Sequence, residues 1–369
     1  MIDWRLFAKT ARRHRVIGLV HQAAQRTGLP LPAGIADRLA EEARQIAREG
    51  LAHAQECVRL QRLYDRAGIP VRFLKGVALA QAAYGTVTMK HARDIDLLVP
   101  PAHVRAALEL LLQDGYSLRQ PGSMMTPAQV RALVVYGSQA ELDRDDGKTR
   151  LELHWRLSVN ARLPHGIDPF AEAATTALPG VGGLNVLTPH DEFIYLCVHG
   201  AGHAWSRLKW LADLNARLCA FDADRIASLC HSAHAHGAGL CAGQALLLCD
   251  RLLGRELPDE LRAALNADAR IGRLLTLAER RMRAADPAGA TGWHAARTFR
   301  NVIDPFRLGR GPRFLAAQMR QVLIGPGDPI RLPLPRSLLF LYPLMRIPFW
   351  LWRQLRRRGK RPVQAAHRR

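Results

Sequence analysis

Apolar residues recur along this chain with two different periods, and the change of period divides it. In the first 68 or so residues, Ile35, Leu39, Ala43, Ile46 and Ala47 fall three or four apart, which lines them along one stripe of a helix. The pattern then shortens. Ile69-Pro70-Val71-Arg72-Phe73-Leu74 reads as a short strand, Lys75-Gly76 as a turn, and Val77 to Tyr84 returns to a helical pattern. Ile95, Leu97, Leu98 and Val99 describe a strand buried on at least one side, ended by Pro100-Pro101. Gln139 to Asp143 and Thr149 to Trp155 flank Arg144-Asp145-Asp146-Gly147-Lys148, which predicts a β-hairpin with an Asp-Gly reversal. From Thr188 to Cys219 the pattern is helical again, with Thr188 as cap and Pro189 at the first position. The expected class is α+β, a small mixed sheet between helical regions. The expected divisions are a helical part at 1–68, an α/β core at 69–165, a mainly helical domain at 166–330 and an apolar, basic tail at 331–369.

The strand patterns carry the chemistry. In Arg93-Asp94-Ile95-Asp96-Leu97-Leu98-Val99, Asp94 and Asp96 share one face of a strand, because side chains alternate with period two. Two like charges that close inside an apolar run are costly unless a cation sits between them. Such oxygen pairs suit Mg²⁺, which keeps waters and is completed by substrate phosphates. An Asp-x-Asp on an edge strand or turn is common, and it is the apolar flanks that lift this one above a solvated pair. Strand, Lys75-Gly76 turn and helix start together make an anion site, since free N–H groups and the helix dipole both point at the turn. In the hairpin's second strand, Arg150, Glu152 and His154 lie on one face and Leu151, Leu153 and Trp155 on the other. An exposed polar face explains Glu152 by itself. Beside an Asp-x-Asp strand it is the preferred third acidic ligand.

Further on, His199 and His203 stand four apart, a metal-ligand spacing on one helical face if the helix survives Gly200 and Gly202. No glutamate follows the first, so the metalloprotease pattern is absent, and histidines packed near the cleft fit better. Trp205, Arg207, Lys209 and Trp210 form a basic, aromatic segment that suits a nucleotide or peptide, and suits packing between lobes nearly as well. Cys230-His231-Ser232-Ala233-His234-Ala235-His236 lies in an Ala-rich helical context and reads as a histidine-bearing surface helix.

Lys75-Gly76, Arg93 to Val99, Leu153-His154-Trp155-Arg156, His199 to Trp205 and Leu208 to Leu214 together resemble the nucleotidyltransferase-like proteins of the polymerase-β superfamily. Such proteins are often encoded beside bacterial peptide-modification or polysaccharide-biosynthesis genes, lasso-peptide clusters among them. The resemblance covers roughly residues 50 to 250. It implies a nucleotidyltransferase core at 69–165 and two Mg²⁺ or Mn²⁺ ions on Asp94, Asp96 and Glu152, which would be the catalytic residues. It also implies a nucleoside triphosphate substrate held by Lys75, Gly76, Arg93, His154, His203 and Lys209. The acceptor would be a hydroxyl or phosphate of a peptide, sugar or small molecule, with ATP among the candidate donors. The superfamily's phosphate loop normally reads Gly-Ser, whereas Lys75-Gly76 stands here. A lysine can replace the hydroxyl by offering a point charge, or can be a solvated strand-end residue. Arg93 faces away from the carboxylates in a regular strand, so its phosphate role needs a bend at the strand's start. The other readings are a non-catalytic binding or scaffold protein of the same fold, and nucleotidyl transfer to nucleic acid.

Charge changes the picture mainly at one end. Of the net +21, the segment from Arg331 to Arg369 carries +11 with no Asp or Glu. Within it, Leu338 to Trp352 is apolar but too short and too interrupted to span a bilayer. It suits an anionic membrane surface, or docking on the protein body with a solvated basic end. The overall charge permits nucleic acid, but no recognised RNA-binding module accompanies it. The six cysteines include no Cys-x-x-Cys pair and read as reduced packing residues of a cytoplasmic protein, and Met1 to Arg5 lacks the apolar core of a signal peptide.

Overall fold

The computed structural model describes residues 2–119, 125–147, 149–284 and 302–324, together with 332, 334–335, 338, 340–342 and 344–345. Three helices come first: α1 (Trp4–His14), α2 (Ile17–Thr27) and the 34-residue α3 (Ala33–Arg66). Asp3 caps α1 by accepting from the Arg5 and Leu6 amides. The apolar stripe read from sequence is the buried face of α3, where Ile35, Leu39 and Ile46 pack under α1 and α2.

A seven-stranded mixed sheet follows, built from β1 (Arg72–Phe73), β2 (Asp94–Leu98), β3 (Tyr116–Leu118), β4 (Gln139–Arg144), β5 (Arg150–His154), β6 (Ala174–Leu178) and β7 (Gly182–Val186). Its order is β3-β4-β5-β2-β1-β7-β6. Helices α4 (Gly76–Tyr84), α5 (Val104–Gln113) and α6 (Pro127–Tyr136) connect the early strands. β4 and β5 form the expected hairpin, with Gly147 at φ +67° supplying the left-handed turn residue. The α+β expectation therefore holds. The sheet, however, continues past the boundary read at 165, because β7 pairs in parallel with β1 and carries β6 with it.

The two faces of the sheet are buried differently. Ile95, Leu97, Leu151 and Leu153 point into one apolar layer with Tyr64 and Leu60 of α3. On the other face lies a helical layer: α7 (Pro189–Gly202), α8 (Leu208–Leu218), α9 (Ala223–Ala235), α10 (Gly239–Leu253), α11 (Asp259–Ala267) and α12 (Ala269–Arg283). Buried α10 is its centre, packing against α7, α8, α9 and α12. Tyr84 of α4 donates to Asp213 of α8 at 2.9 Å, joining the layers across the cleft described below.

The helical pattern from Thr188 to Cys219 resolves into two helices, α7 and α8. Thr188 does cap α7, but the chain turns sharply after Gly202, with Ala204 and Trp205 at φ near +47° and +46°. The strain is offset by complete burial of Trp205 against Gly200, where any Cβ would run into the indole ring. Of the basic and apolar tail, only 332, 334–335, 338, 340–342 and 344–345 are among the described residues.

The N-terminal helices approach the segment between α4 and β2 unusually closely. A Cβ at Gly50 would run into the Val87 carbonyl, and one at Gly18 into the Met89 carbonyl. Ordinarily Gly→Ala inside a helix stabilises by about 1 kcal/mol. At Gly50 the sign reverses, since backbone cannot give way: Gly50→Ala is expected to cost about 1–3 kcal/mol, read as a lower midpoint in guanidinium unfolding.

Candidate active site

β2 and β5 run parallel in a register that sets Asp96 level with Glu152 and Leu98 level with His154. Paired residues of parallel strands point to the same face, so the carboxylates meet on the side of the helical layer. There they open into a cavity of about 580 Å³ between the sheet and α7 and α8. Asp94, Asp96, Glu152 and His154 line it together with Lys75, Gly76, His203 and Lys209. Arg93 does not. Its guanidinium donates to His91 Nε2 at 2.9 Å and faces a neighbouring smaller cavity with Arg12, Glu42 and Glu49. β2 begins at Asp94, so Arg93 lies just before the strand and outside the carboxylate cleft.

Asp96 is only 3% exposed, in the middle of the sheet. Its Oδ1 is held by Lys75 Nζ at 2.9 Å and by His154 Nε2 at 3.2 Å. The same imidazole nitrogen lies 3.4 Å from Glu152 Oε2, which also accepts from Gln139 Nε2 at 3.0 Å. One ligand atom from each of Asp96, Glu152 and His154 fall within 4.8 Å of one another. Asp94 lines the same cavity one turn of the pleat away and lies outside that close group. Among the described residues, no hydrogen bond or ion pair engages its carboxylate.

Burial raises the proton affinity of Asp94, and repulsion from Asp96 adds to it, so its carboxyl sits above the usual range. For Asp96 burial pushes the same way, but Lys75 and the hydrogen bond from His154 outweigh it and hold the group below the usual range. Lys75 is drawn down by burial and then carried above its ordinary value by Asp96. His154 follows the same logic: burial opposes its charge, while hydrogen bonds to Asp96 and Glu152 win and raise it.

Lys75 stands at the N-cap of α4 without a capping side chain, and Gly76 takes φ +65° as the first helical residue. Only glycine enters that conformation without strain, which lets the α4 amides face the cavity at the end of β1. On the opposite wall, His203 stacks on Trp210 with ring centroids 4.8 Å apart and planes 18° from parallel. Lys209 Nζ lies 5.7 Å from the Trp210 ring centre. Burial, then Lys90 and Arg15, pull the Lys209 amine down to about 8. Burial, then Lys75 and Lys209, hold His203 down to about 4. His199 is held well below its ordinary value, first by burial.

Sequence reasoning missed Arg15, Lys90 and Tyr195. Tyr195 was findable, because it stands four residues before His199 on the same face of α7, with ring centroids 5.8 Å apart. Arg15 and Lys90 reach the cavity from α1's end and the segment before β2 and leave no signal in local spacing.

The histidines set an acid limit on stability. His203 and His91 are both held at about 4, against 6.5 for an ordinary histidine. Between those values the unfolded chain binds protons that the folded chain does not, so stability is lost as pH falls through that window. Unfolding free energy measured from about pH 7 to about pH 5 should therefore decline, and His203→Gln should make the decline shallower by up to about 1.4 kcal/mol per pH unit.

The cavity thus carries three carboxylates with Lys75 on the sheet side, and Lys209 with the stacked rings of His203 and Trp210 on the helical wall. No curated protein matches the chain. A family model described as an uncharacterised nucleotidyltransferase matches residues 1–254, from the N-terminal helices through the sheet to the end of α10. By that match over most of its length, the chain belongs to this nucleotidyltransferase family.

Proposed function

We propose that the protein is a divalent-metal-dependent nucleotidyltransferase that moves a nucleotidyl group from a nucleoside triphosphate to a hydroxyl or phosphate of a peptide, sugar or small-molecule acceptor. The observation that carries this reading is the parallel β2/β5 register, which sets Glu152 beside Asp96 in a lysine-lined cavity. The donor set fits a hard divalent cation: carboxylate oxygens from Asp94, Asp96 and Glu152, with His154 close enough to orient two of them. Bound there, Mg²⁺ or Mn²⁺ would neutralise phosphate charge and acidify the acceptor's proton.

The chain's own residues divide the rest of the task. Gly76 and the first amides of α4, with the Lys75 ammonium, receive the terminal phosphates. His203, Trp210 and Lys209 form the opposite wall against the nucleoside side. His203 stays neutral at physiological pH, which keeps a stacking ring there rather than a cation. In the reaction, an acceptor oxygen bonds to the α-phosphorus as its bond to the bridging oxygen breaks, and pyrophosphate leaves. A cytoplasmic setting fits the triphosphate substrate. Among the described residues no helix is long and apolar enough to cross a membrane.

A second reading, nucleotide binding without turnover, is favoured by the ion pair that Lys75 makes with Asp96. Thermal stability with each triphosphate, with and without Mg²⁺ or Mn²⁺, separates the two, alongside pyrophosphate release. The transferase predicts metal-dependent stabilisation by triphosphate and a loss of about a thousandfold in turnover for Asp94→Asn, several kcal/mol of lost charge stabilisation. That variant leaves the Lys75–Asp96 pair in place and should remain folded. Stabilisation by nucleotide alone with no pyrophosphate released would support the binding protein instead. No stabilisation by any triphosphate would sink both.

A further inference from the structure

We propose that Lys75 is a resident counter-ion for Asp96 whose displacement makes metal binding and triphosphate binding mutually dependent. This rests on the nucleotidyltransferase reading and adds to it how the site is loaded.

The starting point is a requirement of the fold. Asp96 sits in β2, flanked on both sides by paired strands, and is almost fully buried. A carboxylate so placed needs a cation at all times, because an uncompensated buried charge costs several kcal/mol. Lys75 meets that need with its amine 2.9 Å from Oδ1. Tyr195 lines the same cavity. A divalent ion coming to Asp96 alone meets the repulsion of that ammonium, since like charges a few ångströms apart in a poorly solvated site repel strongly.

What frees the ammonium lies next to it. Lys75 immediately precedes Gly76, where the α4 amides face the cavity. Its four-carbon stem allows the amine to turn from a carboxylate to a phosphate on the same turn without moving the backbone. A triphosphate at the start of α4 offers the amine a new anion, and a metal on the carboxylates offers Asp96 a new cation. Each ligand removes the obstacle to the other, and by linkage the coupling is the same in both directions. The departure from Gly-Ser at this turn thus has a consequence: a serine hydroxyl would hold phosphate without competing for Asp96.

The test measures the two ligands separately. Mn²⁺ alone is titrated against the full chain and free Mn²⁺ followed by electron paramagnetic resonance. Inorganic tripolyphosphate is titrated by calorimetry with chelator present. Lys75→Met should bind Mn²⁺ alone 5- to 150-fold tighter than wild type, the usual range of a coupling, and bind metal-free tripolyphosphate more weakly. Opposite signs are the signature, since a merely structural lysine would weaken both on removal. Lys75→Gln, which keeps a hydrogen bond to Asp96, should show the same pair of changes, and Lys75→Arg should behave like wild type. If either neutral variant, folded by circular dichroism, binds Mn²⁺ no tighter than wild type, the inference falls while the transferase reading stands. If neither wild type nor variants bind Mn²⁺ even with triphosphate present, both fall.

Discussion

One buried carboxylate organises the centre of this molecule. Asp96 lies in a strand with neighbours on both sides, so its charge cannot be left to water, and the fold supplies partners from two other elements. Lys75 comes from the turn between β1 and α4, and His154 from the end of β5. Without both partners the buried charge would be uncompensated, a penalty of several kcal/mol against a total stability of about 5–15 kcal/mol. The geometry of the turn, the register of β2 on β5 and the orientation of His154 are tied together by that single need.

The cleft exists because the sheet's two faces are treated differently. Leucines, isoleucine and tyrosine close one face against α3 in a buried apolar layer. The other face changes from apolar near Leu98 to acidic at Asp96 and Asp94, so α7 and α8 cannot close on it completely. Their approach is held by polar links at the rim, Tyr84 to Asp213 and Lys90 to Asp213, the latter a buried pair at 2.8 Å. Burial then sets the charge states. Histidines on the helical wall are held below their ordinary value, His154 is raised by its hydrogen bonds to two carboxylates, and the amine of Lys209 is pulled down to about 8 while still mostly charged at neutral pH.

Much of this was legible in the order of residues. Period-two alternation placed Asp94 and Asp96 on one strand face and Glu152 and His154 on another, and the Asp-Gly reversal gave the hairpin that presents the second pair. The Thr188-Pro189 start of α7 was equally readable, being a local hydrogen bond from the Asp191 amide. What spacing could not supply was pairing at long range. That β2 lies parallel to β5, that β6 and β7 join the sheet beyond residue 165, and that Arg15 arrives from the first helix all depend on elements far apart in sequence. Gly200 and Gly202 marked where α7 could end, but the turn after Gly202 is set by where Trp205 is buried.

By itself, then, the chain's order of residues determined which side chains share a face, where helices and turns begin, and that a costly pair of acids sits inside an apolar strand. These follow from the fixed periods of backbone geometry and need no knowledge of neighbours. Only the tertiary structure decided that Lys75 pairs with Asp96, that Arg93 turns away toward His91, and which imidazoles are raised or lowered from their ordinary value. Those outcomes depend on distances across the fold and on exclusion of water, and neither quantity exists until the layers have packed.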